Sequence, residues 1–165
     1  MRFLAAVPIP PCTPLGLLPA GSHVATVAEV EQTFVAPFSL GSTRHQLFRG
    51  FRAHRTGLGA LIPVLYQWVD GSFVSMIASP ADVDVVTFMD GPTYDALPAA
   101  TRRVIATLIP GKQTVPAFGC DSYGIFIYPP DHHNYARYAS LRLYWTNQWA
   151  KDRLGRPKGF IEVAK

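Results

Sequence analysis

The chain has 165 residues and a mass of 18.1 kDa, a length that supports one hydrophobic core and is too short for two ordinary domains. Hydrophobic residues make up 48% of the sequence and charged residues 16%, so the composition excludes disordered, acidic-tail and collagen-like chains. The formal net charge of +4 favours contact with phosphates but falls below the charge density of a dedicated nucleic-acid-binding protein.

Residues 1–22 are rich in proline and are predicted to form an extended arm, ahead of one domain over residues 23–165. Prolines at positions 8, 10 and 11 interrupt the apolar start before it resembles a signal peptide. The two cysteines, Cys12 and Cys120, fit no zinc or redox pattern, and no apolar stretch is long enough to span a membrane. We therefore expect a cytoplasmic protein that makes no membrane contact.

Apolar periodicity, β-branched residues and turn residues predict four helices and four strands. In chain order these are a short helix from Ala25 that ends before Pro37, a helix over 43–60, strands over 64–69 and 82–88, a helix over 93–109, a strand over 121–128, a helix over 134–151 and a strand over 160–164 at the sheet edge. This order predicts an α/β (α+β) domain, in which helices pack on one mixed β-sheet.

The helix predicted over 43–60 is amphipathic and basic. Its arginines are predicted to face solvent: Arg44, Arg49, Arg52 and Arg55. RNA binding by this helix is therefore one alternative function. Arg49 and His54 also match the Arg-x4-His spacing of HEPN ribonucleases, a spacing that arises easily by chance on a basic helix.

The last predicted helix carries large apolar side chains at spacings of three and four, which places them on one face. These residues are Tyr138, Leu141, Trp145 and Trp149. Such a stripe is more typical of a core than of a platform for stacking bases, so we expect it to be buried.

Two aspartates stand two residues apart at the start of the strand predicted over 82–88. Alternation along a strand sends Asp82 and Asp84 to one face, where their carboxylates repel each other unless a cation lies between them. Magnesium ions prefer oxygen ligands, and a pair of them can bridge phosphates and activate a hydroxyl. Upstream, Gly71 and Ser72 offer a phosphate a close backbone approach and a hydroxyl. The pattern predicts one phosphate and metal site; the alternative is a solvated strand end and a turn serine.

This arrangement of Gly-Ser, spacer and Asp-x-Asp resembles the nucleotidyltransferase superfamily, which includes DNA polymerase β, the minimal nucleotidyltransferases and kanamycin nucleotidyltransferase. The resemblance implies a nucleotidyltransferase-like domain that moves a nucleotidyl group from a nucleoside triphosphate to a hydroxyl. The acceptor would be RNA (such as tRNA), a protein or a small molecule. Gly71 and Ser72 would hold the triphosphate, and Asp82 with Asp84 would bind two Mg²⁺ (or Mn²⁺) ions.

The resemblance also implies a third carboxylate on a later strand. Asp121, at the start of the strand predicted over 121–128, is expected to complete the metal site and to orient or deprotonate the acceptor. Asp131 is the alternative residue for this role.

The sequence is also similar to a little-characterised group of small bacterial and phage proteins classed as nucleotidyltransferase-like. The shared elements span nearly the whole chain: Leu18 to His23, Asp70 to Val74, Pro80 to Val85, Tyr144-Trp145 and Arg153 to Gly159. No defined activity comes with this group. A non-catalytic member that binds a partner, such as an antitoxin or a phage-encoded inhibitor or regulator, is therefore the alternative function.

Three cations close to the carboxyl end are interleaved with glycine and proline: Arg153, Arg156 and Lys158. Such a run is usually solvated surface, but a flexible basic loop also suits contact with phosphate or an RNA backbone. Both interpretations remain open at this stage.

Overall fold

A computed structural model describes residues 9–164 of the chain, which form one domain with a six-stranded mixed sheet and six α-helices. The predicted α/β class is therefore confirmed. The first eight residues of the predicted arm, and Lys165, lie outside the described residues. Within the rest of the arm, Leu18 is buried and Leu17 forms a β-bridge with Ser75.

The sheet has the strand order β1-β6-β2-β3-β5-β4. The strands are β1 Gly21–Ala25, β2 Val64–Asp70, β3 Val83–Asp90, β4 Pro110–Gly111, β5 Cys120–Ile127 and β6 Gly159–Val163. The pairs β1–β6 and β3–β5 are parallel, and β6–β2, β2–β3 and β4–β5 are antiparallel. At the centre, β2 and β3 therefore run in opposite directions while β3 and β5 run together.

Helices cover both faces of this sheet. They are α1 Val27–Phe34, α2 Arg44–Gly59, α3 Gly91–Ala96, α4 Ala99–Thr107, α5 Val115–Phe118 and α6 Tyr135–Trp149. Apolar residues of α1, α2 and α4 bury one face, which we call the α2 face. Trp149 of α6 packs with Trp68, Phe88 and Phe160 on the opposite face, the α6 face. None of the helices in residues 9–164 is long and apolar enough to cross a bilayer.

Two predicted elements differ from the structure. The helix predicted over 93–109 is wrong, because α3 ends before Leu97 and α4 begins after Pro98. Proline disfavours helical geometry in the residue before it, and Leu97 is extended with ψ of 149°. The strand predicted at the sheet edge, now β6, lies between β1 and β2, because the sequence pattern did not reveal the short strand β1.

The solvent-facing arginines predicted on α2 are wrong for Arg44, which is fully buried, while Arg55 is half-buried and donates to Gln67 and to the carbonyl of Ala164. His54 is also fully buried, with Nε2 2.7 Å from the carbonyl oxygen of Leu108. The pair needed for the ribonuclease alternative therefore includes a histidine that RNA cannot reach. Of the four arginines predicted to face solvent on α2, only Arg49 and Arg52 are exposed and could contact RNA.

The aromatic stripe of α6 is buried at one end only. Trp149 belongs to the core of the α6 face, and Tyr138 and Trp145 pack against that core while partly exposed. Leu141 is 36% exposed and lies outside the core. The prediction of a buried stripe is confirmed for Trp149, holds in part for Tyr138 and Trp145, and is wrong for Leu141.

Candidate functional site

Three aspartates stand side by side across the centre of the sheet. In the strand register Asp70 of β2 lies opposite Asp84 of β3, and Asp84 lies opposite Asp121 of β5. Alternation puts all three on the α6 face, and neighbouring strands are about 4.8 Å apart. We call Asp70, Asp84 and Asp121 the carboxylate row. Asp70 belongs to one of the sequence elements shared with the nucleotidyltransferase-like group, but the sequence pattern predicted no role for it in the site.

Asp84, at the middle of the row, is surrounded by negative charge. Burial, followed by the charges of Asp82, Asp70 and Asp121, raises the pKa of its carboxyl to about 6, while Lys158 opposes the rise. Asp82 immediately precedes β3 and is half-buried. The structure therefore brings together the three predicted metal-ligating aspartates.

Asp121 carries an unsatisfied oxygen. The residue is only 6% exposed, and its Oδ1 is buried without a hydrogen-bond partner among residues 9–164. Burial raises the pKa of the Asp121 carboxyl; a hydrogen bond from Tyr123 opposes this rise, the charge of Asp82 adds to it, and Lys112 opposes it. A buried oxygen without a donor loses its hydration with no compensation, unless a ligand or a proton supplies it.

Asp131, the alternative third carboxylate, lies elsewhere. It follows β5 at the end opposite Asp121, and the intervening strand spans about 20 Å at 3.3 Å per residue. The structure does not bring Asp131 to the row.

Lys158 forms an ion pair with both carboxylate oxygens of Asp70; the Asp70 side chain is buried and that of Lys158 is partly buried. The other two predicted phosphate-contacting cations lie apart from it. Arg156 pairs with Asp152 at 2.6 Å, and Arg153 is exposed. The three cations therefore form no common patch, and only Lys158 reaches the carboxylates.

Gly71 shapes the turn between the row and the loop that follows. Its φ of +79° favours glycine, and a Cβ at this position would collide with Oδ2 of Asp84. The Gly71 backbone also hydrogen-bonds to the Asp70 carboxylate. Ser72 then begins a one-turn 3-10 helix, Ser72–Val74. Contact between the Ser72 hydroxyl and a phosphate stays a prediction.

Arg44 holds the loop that follows Gly71. Its guanidinium donates to five backbone carbonyls, those of Phe34, Ser72, Phe73, Ser75 and Ile77. Burial lowers the pKa of Arg44 to about 10, so the group is charged at neutral pH. These hydrogen bonds hold the backbone that follows the predicted phosphate-binding turn in one conformation.

The carboxylate oxygens of the row and of Asp82 are the kind of ligand that a hard divalent cation prefers. All of these side chains are carboxylates, and one buried oxygen has no partner. No three His, Cys, Asp or Glu side chains in residues 9–164 converge closely enough to hold one metal ion as they stand. A pocket of about 700 Å³ beside Arg52 and Pro63 is not lined by the row. Binding of Mg²⁺ therefore requires side-chain rotation within the row, and one member, Asp70, is already held by an ammonium group.

The sequence pattern predicted neither the ion pair of Lys158 with Asp70 nor the place of Asp70 in the row, and the reasons differ. Lys158 and Asp70 are 88 positions apart in the sequence, and no local pattern links such residues. Asp70 itself carried a signal, because it continues the alternation of Tyr66 and Trp68 on β2.

Comparison with known proteins identifies a family for this chain but no activity. A family model described as a family of unknown function (DUF6932) matches residues 10–164. No curated protein and no solved structure matches the chain. The chain belongs to the DUF6932 family.

Proposed function

We propose that this member of the DUF6932 family is a divalent-cation-dependent nucleotidyltransferase, which moves a nucleotidyl group from a nucleoside triphosphate to a hydroxyl. The observation that supports this proposal best is the carboxylate row, in which the buried Oδ1 of Asp121 has no partner among the described residues. Repulsion between like charges in a row destabilises a fold, and a bound cation would offset this repulsion.

Residues of the row, Asp82 and the Gly71-Ser72 turn each have a separate role in this chemistry. Bound Mg²⁺ or Mn²⁺ would offset the triphosphate charge and lower the pKa of the attacking hydroxyl. Asp82 and Asp84 would hold the cation, and the Gly71-Ser72 turn would position the phosphates. Asp121 accepts the hydroxyl proton as the oxygen bonds to the α-phosphorus, and the bond to the β-phosphate oxygen breaks to release pyrophosphate.

The acceptor belongs to the same proposal. It is a hydroxyl on RNA such as tRNA, on a protein or on a small molecule, and the geometry of the row favours none of the three. We place the protein in the cytoplasm, where nucleoside triphosphates are available and where the free thiols of Cys12 and Cys120 stay reduced.

A transfer assay tests this function. The full chain is incubated with Mg²⁺ or Mn²⁺, a nucleoside triphosphate labelled at the α-phosphate, and either total tRNA, protein extract or no added acceptor. We expect label to join an acceptor, and we expect no transfer from γ-labelled nucleotide. Asp84→Asn should abolish transfer, and Asp131→Asn, which alters an exposed carboxylate outside the row, should retain it. Absence of transfer from every triphosphate to every acceptor would contradict the proposal.

One observation favours a second function. The ion pair between Lys158 and Asp70 supplies the row with a cation of its own, which is what a site without catalytic metal requires. In this case the chain is a non-catalytic binding protein, such as an antitoxin or a phage-encoded inhibitor. Failure of Mn²⁺ and nucleotides to bind, in a chain that captures one defined protein partner, would favour this function over transfer.

A further inference from the structure

Lys158 is a structural part of the row rather than a surface cation. Its side chain is 12% exposed, that of Asp70 is 4% exposed, and both oxygens of Asp70 accept from the ammonium group. The backbone is fixed as well, since the Lys158 N–H donates to the carbonyl of Ala150 at 3.0 Å.

The sheet explains how Lys158 arrives at this position. Strand β6 pairs with β2, with Ile161 opposite Val69, so the residues just before β6 lie beside the end of β2. Lys158 precedes Phe160 by two positions and shares its face, the α6 face. The ammonium group, from the residue just before β6, therefore extends the row beyond β2, in the order Lys158, Asp70, Asp84, Asp121.

We propose that the ammonium group of Lys158 takes the place of one metal ion, so that the site binds a single divalent cation rather than the pair expected from the resemblance. This inference rests on the proposed function. Asp82, Asp84 and Asp121 would hold this cation, and Asp70 is a positioning residue that holds Lys158.

Charge and donor count both support a single ion. Both carboxylate oxygens of Asp70 accept from Lys158, so a metal ion at Asp70 would compete with the ammonium group for them. The ions of a metal pair lie about 4 Å apart, so a second ion near Asp70 would lie against a fixed ammonium group. At the other end of the row, Oδ1 of Asp121 is buried and has no partner among residues 9–164. One end of the row is satisfied and the other is not.

Manganese stoichiometry tests the inference without an activity measurement. The full chain is titrated with MnCl₂ alone by calorimetry, and free Mn²⁺ is counted by electron paramagnetic resonance. We expect one ion for each wild-type chain and two for Lys158→Gln, since the substitution frees Asp70 to act as a ligand. Lys158→Gln combined with Asp70→Asn should bind one ion again, because the second set of ligands is lost.

The outcomes separate this inference from the proposed function. Two ions in the wild type, or one ion in the wild type and in both variants, overturns the role of Lys158 and leaves the transferase intact. No binding by any of the three chains overturns the proposed function itself. Binding by Lys158→Gln alone overturns the single-ion site and favours the non-catalytic protein. If Lys158→Gln fails to fold, the wild-type count decides alone: one ion supports the inference, and two ions overturn it.

Discussion

Two buried charged groups lie on either side of the Gly71 turn, and their surroundings are opposite. The guanidinium of Arg44 is fully buried and donates to five backbone carbonyls, although no carboxylate in residues 9–164 pairs with it. In the carboxylate row, Asp84 is flanked by other carboxylates, and Oδ1 of Asp121 has no partner among the same residues.

The difference separates a structural charge from a functional one. A buried charge whose hydrogen bonds are all made holds the surrounding backbone in one arrangement. A group of buried like charges with unmade bonds costs stability, and binding of a counter-charge can recover that cost. Arg44 therefore supports the turn, and the row provides the binding capacity.

The largest effect on stability is expected from Arg44. Arg44→Leu leaves five carbonyls without their donor, three of them in buried contacts, and we expect the free energy of unfolding to fall by about 3 kcal/mol or more. Urea unfolding followed by circular dichroism measures this change. The matched control is Arg52→Leu, which removes an exposed arginine of the same helix and should change stability by less than about 0.5 kcal/mol. Equal effects of the two substitutions would show that Arg44 has no structural role.

The next effect concerns turnover. Asp121→Asn removes the proton acceptor, and we expect the transfer rate to fall by about 10²–10³-fold while nucleotide affinity stays within about threefold. Single-turnover kinetics and calorimetry measure the two quantities separately. Undiminished transfer by this variant would show that Asp121 neither accepts the proton nor completes the metal site.

The pH dependence of stability tests the electrostatics of the row. The folded pKa of Asp84 is raised from 3.8 to about 6, so the folded state binds this proton more tightly than the unfolded state. The resulting stability is fully present below about pH 4 and is lost as the pH rises through 6. At about 1.4 kcal/mol per pH unit, the loss is on the order of 3 kcal/mol.

Asp84→Asn should remove this contribution. We expect the variant to be more stable than the wild type at pH 7 and to show a smaller loss between pH 4 and 7 in chemical unfolding without metal. Burial also raises the pKa values of Asp70 and Asp121, so part of the slope should remain. Asp131→Asn serves as the control and should keep the wild-type slope. A less stable Asp84→Asn at pH 7 would contradict repulsion within the row.

The smallest effect is stabilisation by metal. At a Mg²⁺ concentration about tenfold above its dissociation constant, binding to the folded state alone adds about 1.4 kcal/mol. Thermal unfolding should show a rise of a few degrees for the wild type and no rise for Asp84→Asn. An equal rise in both proteins would place the bound ion outside the row.

The sequence predicted those parts of the fold in which local pattern and tertiary position agree. The strands at 64–70, 83–90 and 120–127 and the helices at 44–59 and 135–149 follow their apolar periodicity, so their predicted positions are confirmed. The helix predicted across Pro98 is wrong because the turn chemistry of one residue outweighs the periodicity around it.

The candidate site divides in the same way. Local spacing predicts Asp82 with Asp84, and the resemblance implies a third carboxylate, for which the start of a predicted strand indicated Asp121. The register of β3 and β5 places Asp84 beside Asp121. The ion pair of Lys158 with Asp70 depends on the pairing of β6 with β2, a choice that local sequence does not encode. Periodicity failed for Arg44, because five carbonyls compensate the burial of its charge.

Nucleotide binding tests the function of the row most directly. Calorimetric titration of ATP, GTP, CTP and UTP, each with and without Mg²⁺, is performed on the wild type, on Asp82→Asn with Asp84→Asn, and on Asp131→Asn. We predict that at least one nucleotide binds the wild type and Asp131→Asn only when Mg²⁺ is present, and that the double variant binds none. Equal binding by the double variant, or wild-type binding that does not depend on Mg²⁺, would contradict the assignment of the carboxylate row as the metal and nucleotide site.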